Sequence, residues 1–544
     1  MASVAPASTQ VLIAGGGPVG LATAIELGRR GVDCLVVEPR VTVSRTRPRC
    51  KTVNVRTVEH LRRWGIAERL RERAPLPVSW SQDIVFCTSL TGHELSRFTG
   101  VLGLAAEGDR FAEPGQQAPQ YVLEELLRDV ADELPTVSLA RGYRVLGLEQ
   151  DEDEVRVALA AEGGEESMVS ADFVVGCDGA RSLVRAAIGS DYVGERALSP
   201  NLGMVFRAPG LLRRVRHGPA VQYWIVNGSA PGLMGPIDLE GTWWMIAFGV
   251  DRESGERDAQ QIIDGCAGEP VEAAVVSTDP WTARMQLVDR ARRDRVFLAG
   301  DAAHLNPPFG GHGLNTGVGD SVDLGWKLAA VLRGWGGPGL LDSYELERRP
   351  IQTQVIEAAA ANNRVLAADL LTDDIDAEGP AGERARRIAD ANIQDTKHAE
   401  FHALDLVLDL AYDGSPIISA NASGGDPCTG GAMGGRDGAV VGARLPHAWL
   451  DPGRSLFDAL GNGMSLLVLA EDRGSDVESL AMAARSRGVP LRVVGLEDRN
   501  LRPRYGSDLV LVRPDQHVAW RADHAPAESG RLIDRVRGMN GGTP

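Results

Sequence analysis

A mixed α/β fold follows from three features of the sequence. Residues 10–38 run strand, Gly-rich turn, helix, strand, the order of a βαβ unit that opens a parallel sheet. Between 200 and 290 helical spacing gives way to alternation, which predicts an inserted antiparallel sheet with one apolar face. The α/β pattern returns at Val296, and again in a smaller C-terminal unit after a stretch rich in Gly, Asp, Ser and Pro at 413–440. The expected segments are 1–190 and 291–411 as two parts of one domain, 191–290 as the inserted sheet, and 412–544 as linker and terminal domain.

Each element has a local reason. Residues 10–14 are a β-type run, 21–30 have helical apolar spacing, and 34–37 form a second apolar run ending at Glu38. The spacing predicts amphipathic helices over 53–73 and 121–132; in the latter, Leu123, Leu126, Leu127 and Val130 share a face. Segments 155–157 and 173–176 read as strands. In the alternating region, 222–226 and 242–250 carry much of the aromatic content, with Phe206 and Trp281 nearby. Those rings suit a packed core and a ligand-facing wall equally well. Residues 296–300 form a strand, followed by long helices over 314–334 and 343–366. The terminal unit reads as strand 465–470, helix 476–486, strand 491–494 and a hairpin of 509–512 with 517–520.

Composition narrows the function. The 544 residues are 43% apolar and 24% charged, unlike a disordered, collagen-like or disulfide-stapled chain. A net charge of −17 argues against nucleic acid or an anionic membrane as the main partner. Only three of the 57 basic residues are lysine (Lys51, Lys327 and Lys397), which fits a G+C-rich genome better than phosphate recognition. The six cysteines, Cys34, Cys50, Cys87, Cys177, Cys266 and Cys428, form no CxxC pair and suit free thiols in a reducing compartment. The apolar run 11–27 lacks a preceding basic region and is broken by Gly15-Gly16-Gly17-Pro18, so it reads neither as a signal peptide nor as a membrane span. The expected setting is cytoplasmic, as a monomer or homodimer.

Three Gly-rich stretches carry the chemistry. The first is Gly15-x-Gly17-Pro18-x-Gly20, between strand and helix. Gly15 permits the tight turn, Gly17 lets backbone approach a pyrophosphate, and Gly20 lets the helix pack close, so the helix N-terminus meets the anion. Glu38 follows about 20 residues on, where its carboxylate can accept a hydrogen bond from a ribose 2′-hydroxyl and disfavours a 2′-phosphate. The ligand is therefore FAD or NAD rather than NADP. The second stretch, Gly176-Cys177-Asp178-Gly179-Ala180-Arg181-Ser182, ends a strand and suits a loop folded over a dinucleotide. The third, Gly300-Asp301-Ala302-Ala303-His304, continues through Asn306-Pro307-Pro308-Phe309-Gly310-Gly311-His312-Gly313-Leu314-Asn315. A helix starting near Gly313 points free N–H groups and its positive dipole end outward, and the glycines let backbone approach a flat ring.

In this order the three motifs resemble those of the group A flavoprotein monooxygenases, the p-hydroxybenzoate and phenol hydroxylase family, over residues 8–370. The tail around Arg513-Pro514-Asp515 resembles the C-terminal thioredoxin-like domain of the larger members. The resemblance implies a Rossmann-like FAD-binding domain with an inserted substrate-binding sheet, FAD as cofactor, and NADPH or NADH as co-substrate. It implies that Asp301 holds the flavin ribityl chain and Glu38 the adenosine ribose. Arg49 and Gln120 would contact FAD, Asp178 and Gly300 would belong to its binding loops, and Arg181 would serve both FAD and the nicotinamide cofactor. Pro308, Gly311, Gly313, Leu314 and Asn315 would border the flavin, with Pro308, Gly310 and Gly311 as the catalytic turn.

The implied reaction reduces FAD with NAD(P)H, forms a C4a-hydroperoxyflavin with O2, and passes the distal oxygen to an electron-rich ring carbon of a phenolic or polycyclic substrate from secondary metabolism, such as antibiotic biosynthesis. Reduced flavin is anionic at its N1–C2=O edge, which a helix N-terminus favours. Tyr223, Trp224, Met234, Pro236, Trp243 and Phe309 are candidates for the substrate wall, and alternation leaves open which strand face points inward. His304 reads as structural, and His312 is a candidate near substrate. His398 and His402 share a helix face without further ligands, so no metal site is expected. No GxSxG elbow marks a serine hydrolase, and 243–247 does not match the WxWxIP pattern of flavin halogenases. Baeyer–Villiger oxygenation on the same scaffold and a non-catalytic flavin- or ligand-binding protein are the alternatives. Without CxxC, the terminal domain has an expected role in packing, stability or dimer contact.

Overall fold

The computed structural model describes residues 6–46, 51–105, 109–419, 438–498 and 500–539. An eight-stranded sheet forms its centre. In spatial order it runs Arg292–Arg293, Val296–Leu298, Glu166–Gly176, Ser8–Ala14, Cys34–Glu38 and Val137–Arg141. The hairpin Tyr143–Gln150 and Val155–Ala161 adds to Glu166–Gly176. From Val296–Leu298 to Val137–Arg141 the neighbours are parallel. Parallel strands are covered on both faces, which is why 11–14 and 34–37 are continuous apolar runs with no residue more than 2% exposed.

Register decides where the site lies. Ala14 pairs with Val37 and with Gly176, and Gly176 pairs with Leu298. The loops leaving these strands at their carboxyl ends, beginning at Gly15, Cys177 and Ala299, emerge side by side, where open α/β sheets place their ligands. Backbone bonds tie them: the Cys177 N–H donates to the Ala14 carbonyl at 2.8 Å and the Ala299 N–H to that of Gly176 at 3.0 Å. Helices Pro18–Gly28 and His312–Leu332 cross against each other here, with Ser321 Oγ donating to the Val19 carbonyl at 2.8 Å. The helix expected over 53–73 is two, Val55–Arg63 and Ala67–Arg73, because the chain turns at Gly65 with φ +76°.

A second eight-stranded sheet runs His304–Leu305, Ala274–Val288, Tyr192–Arg207, Thr242–Phe248, Gly232–Pro236, Gln222–Ile225, Ile84–Cys87 and Glu94–Phe98. Only the Gln222–Ile225 and Ile84–Cys87 pair is parallel. It extends beyond the expected 191–290 segment at both edges, since strands from the flanking segments complete its pairing. One face carries Leu202, Phe206, Tyr223, Met234, Trp243 and Met245 against helix Ala259–Ala267. The opposite face carries Phe86, Trp224, Leu233 and Phe248, packed with Phe309 and with helix Gly379–Phe401.

The C-terminal unit is a four-stranded sheet ordered Leu491–Gly495, Met464–Val468, Leu509–Val512 and Val518–Ala522, with helices Gly474–Arg485 and Ser529–Val536. Leu466, Leu511 and Trp520 share an apolar cluster with Trp326, Trp335 and Leu340 of the long-helix region. Beside it lies a fully buried ion cluster. Arg513 reaches Asp323 at 2.9 Å, Glu347 at 2.6 Å and Asp515 at 2.6 Å, and Lys327 reaches Asp323 at 2.8 Å and Glu347 at 2.5 Å. Cys34, Cys87, Cys177 and Cys266 are free thiols, while Cys50 and Cys428 lie outside the described residues. No helix among the described residues is long and apolar enough to cross a membrane.

Candidate active site

The first loop is shaped by its glycines. Gly15 sits at φ +106°, and a Cβ there would overlap the Cys177 carbonyl oxygen. A Cβ on Gly17 would meet no protein atom within 4 Å, so the start of helix Pro18–Gly28 is open. That terminus has no side-chain cap, leaving its first N–H groups for an anion. Glu38 is buried at the end of its strand. One carboxylate oxygen accepts from the Gly16 N–H at 2.8 Å, and the other accepts from the Arg40 backbone N–H at 3.0 Å and from its Nε at 2.7 Å. Glu38 therefore also holds the glycine loop in place. Gln120 begins helix Gln120–Asp132, and its side chain bonds Glu124, which pairs with Arg40 at 3.1 Å. Arg49 lies outside the described residues.

In the second loop, Asp178 Oδ2 accepts the N–H groups of Leu183 at 2.7 Å and Val184 at 3.1 Å, capping helix Leu183–Ala187. Its Oδ1 is buried with no hydrogen-bond partner among the described residues. Arg181 is exposed. Arg185 stacks over Tyr192 at 4.1 Å, and the Tyr192 hydroxyl donates to the Asp301 carbonyl. Tyr192, absent from the sequence-based candidates, thus links the second motif to the third. Its signal was only a lone aromatic beyond a helix.

The third loop is anchored from behind. The Gly300 N–H donates to Asp320 Oδ2 at 3.1 Å, and His304 Nε2 lies 3.2 Å from the same oxygen. Arg348 and Gln352 donate to Oδ1 at 2.8 Å and 3.1 Å. Burial pushes the Asp320 carboxyl up, but Arg348 and His304 outweigh it and hold the pKa at about 2. His304 is buried against this carboxylate. Asp301 is exposed.

The turn after Pro308 has Gly310 at φ +77° and Gly311 at φ +68°, leading into helix His312–Leu332 without a side-chain cap. Asn315 is expected to touch the cofactor, yet protein groups occupy its amide. Oδ1 accepts from the Asn54 N–H at 3.0 Å and Thr57 Oγ1 at 2.8 Å, while Nδ2 donates to the carbonyls of Thr52 at 2.9 Å and Gly311 at 2.6 Å. It positions the turn. A Cβ on Gly313 would lie 3.2 Å from Asn306, and Leu314 packs partly buried against the central core. His312 is buried, its Nε2 has no partner among the described residues, and burial pulls its pKa down to about 4.

The six wall candidates do not come together. Trp224 and Phe309 share the face toward the turn, with ring centroids 6.0 Å apart, and Phe248 lies equally close to Phe309. Tyr223, Met234 and Trp243 belong to the opposite face, each 0% exposed, and Pro236, paired with Trp243, shares that face. The Tyr223 hydroxyl is used there, accepting from the Ala220 N–H at 2.9 Å and donating to the Gly218 carbonyl at 2.6 Å. In their place the turn-facing side presents Trp244, Ile246 and Trp281, all half-buried. Lys51 stands beside them, its Nζ 5.4 Å from the Trp244 ring. Alternation separates Trp243 from Trp244, but only the covering helices identify the outer face. Among the described residues no group of three or more His, Cys, Asp or Glu side chains could hold a metal ion. His398 and His402 pack with Phe98 instead.

These features fit FAD: an open uncapped helix start, a buried carboxylate at the second strand's end, an orphaned Asp178 oxygen, and a glycine turn at a second helix start. A family model described as "FAD binding domain" matches residues 8–359, and one described as "Aromatic-ring hydroxylase, C-terminal" matches residues 438–541. "FAD-dependent monooxygenase apdD" of Emericella nidulans is 30% identical, over 97% of this chain and 90% of its own. "2,4-dichlorophenol 6-monooxygenase" of Delftia acidovorans is 31% identical, over 94% of this chain and 95% of its own. Among solved structures, RebC with bound 7-carboxy-K252c is 37% identical with a TM-score of 0.90, covering 98% of this chain and 100% of its own. Aklavinone-11 hydroxylase in ternary complex with FAD and aklavinone is 28% identical with a TM-score of 0.80, covering 97% and 98%. With both its FAD-binding part and its terminal domain matched, the chain belongs to the FAD-dependent aromatic-ring hydroxylases.

Proposed function

We propose that this enzyme uses FAD, NAD(P)H and O2 to hydroxylate a phenolic or polycyclic aromatic substrate, of the secondary-metabolite kind its relatives' names describe. The observation that carries the reading is the convergence of the three loops at one sheet edge, with the aromatic sheet face ending at the Pro308–Gly311 turn. FAD, when bound, supplies hydride acceptance and oxygen activation.

The chain's own residues do the rest. Helix Pro18–Gly28 would hold the pyrophosphate through its uncapped N–H groups, and Glu38 the adenosine ribose. The start of helix His312–Leu332 would favour negative charge on the reduced ring. Asn315 keeps that turn in register with 52–57, a preorganisation that spares rearrangement during reaction. Trp224, Phe248 and Phe309 keep the approach apolar and dry, while Trp244 and Trp281 present flat surfaces to an aromatic guest. The terminal domain, bolted to the long helices through Arg513, stiffens the scaffold behind the site.

The test is aromatic-dependent turnover. Purified protein should be yellow, and phenols or aromatic polyketides should accelerate its NAD(P)H oxidation with formation of a hydroxylated product. Unstimulated oxidation with every aromatic tried, or a ring-expanded ester from a ketone as the sole product, contradicts the proposal.

A further inference from the structure

An ion pair is sealed against the Phe309–Gly310 turn. Lys397 and Glu400 stand one turn apart near the end of helix Gly379–Phe401, with side chains 0% and 2% exposed. Lys397 Nζ donates to Glu400 Oε2 at 2.8 Å and to the Asn362 carbonyl, at the end of helix Pro338–Asn363, at 3.1 Å. It also lies 4.5 Å from the centroid of the Trp224 ring and 5.9 Å from that of Phe309. Its ammonium thus meets a carboxylate, a carbonyl and an aromatic face, a division that suits a compact point charge better than a planar guanidinium. This is one of only three lysines in the chain. The Glu400 carboxylate is met in addition by the backbone N–H of Gly310. Burial pushes the Glu400 pKa up, against the pull of Lys397 and of that N–H.

A buried pair of charges stabilises a fold little compared with apolar side chains of the same size. What this pair adds is position. Gly310 and Gly311, at φ +77° and +68°, have no side chains with which to hold their turn. Asn315 Nδ2 holds the Gly311 carbonyl at 2.6 Å, and Glu400 offers the matching hold on the Gly310 N–H. Resting on the hydroxylase reading, we propose that Glu400, aimed and neutralised by Lys397, is a positioning residue that fixes the Phe309–Gly310 peptide of the catalytic turn. The acceptor oxygen does the holding, and Lys397 balances the charge that a carboxylate acceptor carries. Without the acceptor, the peptide is free to rotate and the start of helix His312–Leu332 loses its fixed place. Reduced flavin would then be stabilised less by that helix start, and more of the reducing equivalents from NAD(P)H would end in H2O2.

The experiment compares two double variants of the full chain, Lys397→Met with Glu400→Gln and Lys397→Met with Glu400→Leu. Both remove the buried charges at nearly constant volume, and only the first keeps an oxygen for the Gly310 N–H. Three readouts are taken: the reduction potential of the bound flavin without substrate, the ratio of hydroxylated product to H2O2, and hydrogen exchange of the Gly310 amide in the apoprotein. The glutamine-bearing variant should stay within about twofold of wild type in product ratio and amide exchange, with the wild-type potential. The leucine-bearing variant should show a lower potential, with product ratio falling and exchange rising about 5- to 100-fold. Wild-type values for the leucine-bearing variant overturn the proposal, as does a glutamine-bearing variant impaired to the same extent. If neither variant folds, the wild-type apoprotein decides: a Gly310 amide that exchanges as fast as an unprotected one overturns the proposal, and one slowed at least about tenfold supports it. If wild type makes no product from any aromatic, the hydroxylase reading has failed, while potential and exchange still judge the hold of Glu400 on the turn.

Discussion

Replacing Gly17 by alanine separates the protein's own requirements from those of its cofactor. Gly17 has φ −75° and ψ −180°, extended backbone open to any residue, and an added Cβ would find no protein atom within 4 Å. The folded apoprotein should tolerate it, with stability changed by no more than about 1 kcal/mol, since reduced chain entropy offsets a slightly poorer helix cap. The same methyl group projects into the space where a pyrophosphate would meet the helix start. Overpacking of that kind amounts to roughly 1–3 kcal/mol, or about 5- to 150-fold in affinity. Flavin fluorescence titration of the apoprotein reads the FAD dissociation constant, and thermal unfolding without FAD reads stability. Unchanged FAD affinity in the alanine variant would refute the placement of the pyrophosphate at Gly17.

Other substitutions test other parts of the fold. Trp243→Leu on the covered sheet face, where the ring stacks on Phe206 at 6.5 Å, should lower stability by about 2–4 kcal/mol in urea while leaving KM for the aromatic substrate unchanged. Arg513→Met leaves Asp323 and Glu347 with Lys327 as their remaining cation and Asp515 without its arginine, so limited proteolysis should release the terminal domain readily, after a loss of about 3–5 kcal/mol. His312 is kept neutral by burial with a pKa of about 4, against 6.5 when unfolded. Its contribution is full above pH 6.5 and declines as pH falls toward 4, by up to about 3 kcal/mol. Denaturation midpoints of His312→Asn should lack that part of the slope.

Much of this was legible because the motifs are local. Gly15 to Gly20, Glu38 and the Gly300 stretch each announce a strand end followed by a turn, and parallel pairing then brings the strand ends together. What was illegible depends on distant contacts. Alternation places Tyr223 and Trp224 on opposite faces, but helices Ala259–Ala267 and Gly379–Phe401, remote in sequence, determine what each face meets. Asn315 sits in a cofactor motif, yet its amide is claimed by a loop that lies 263 residues earlier at Thr52. The hairpin of Ile84–Cys87 and Glu94–Phe98 joins the inserted sheet across a gap that no turn signal marks. Lys51 was noted only as a rare lysine; its place beside Trp244 follows from tertiary packing.

A crystal structure of the FAD-bound protein bears most directly on the whole scheme. It should show adenosine beside Glu38, the pyrophosphate over Gly17 and Pro18, and the ring between the Gly310–Gly311 turn and the Trp244 face. Flavin bound anywhere else, or a ring separated from that turn by protein side chains, would contradict it.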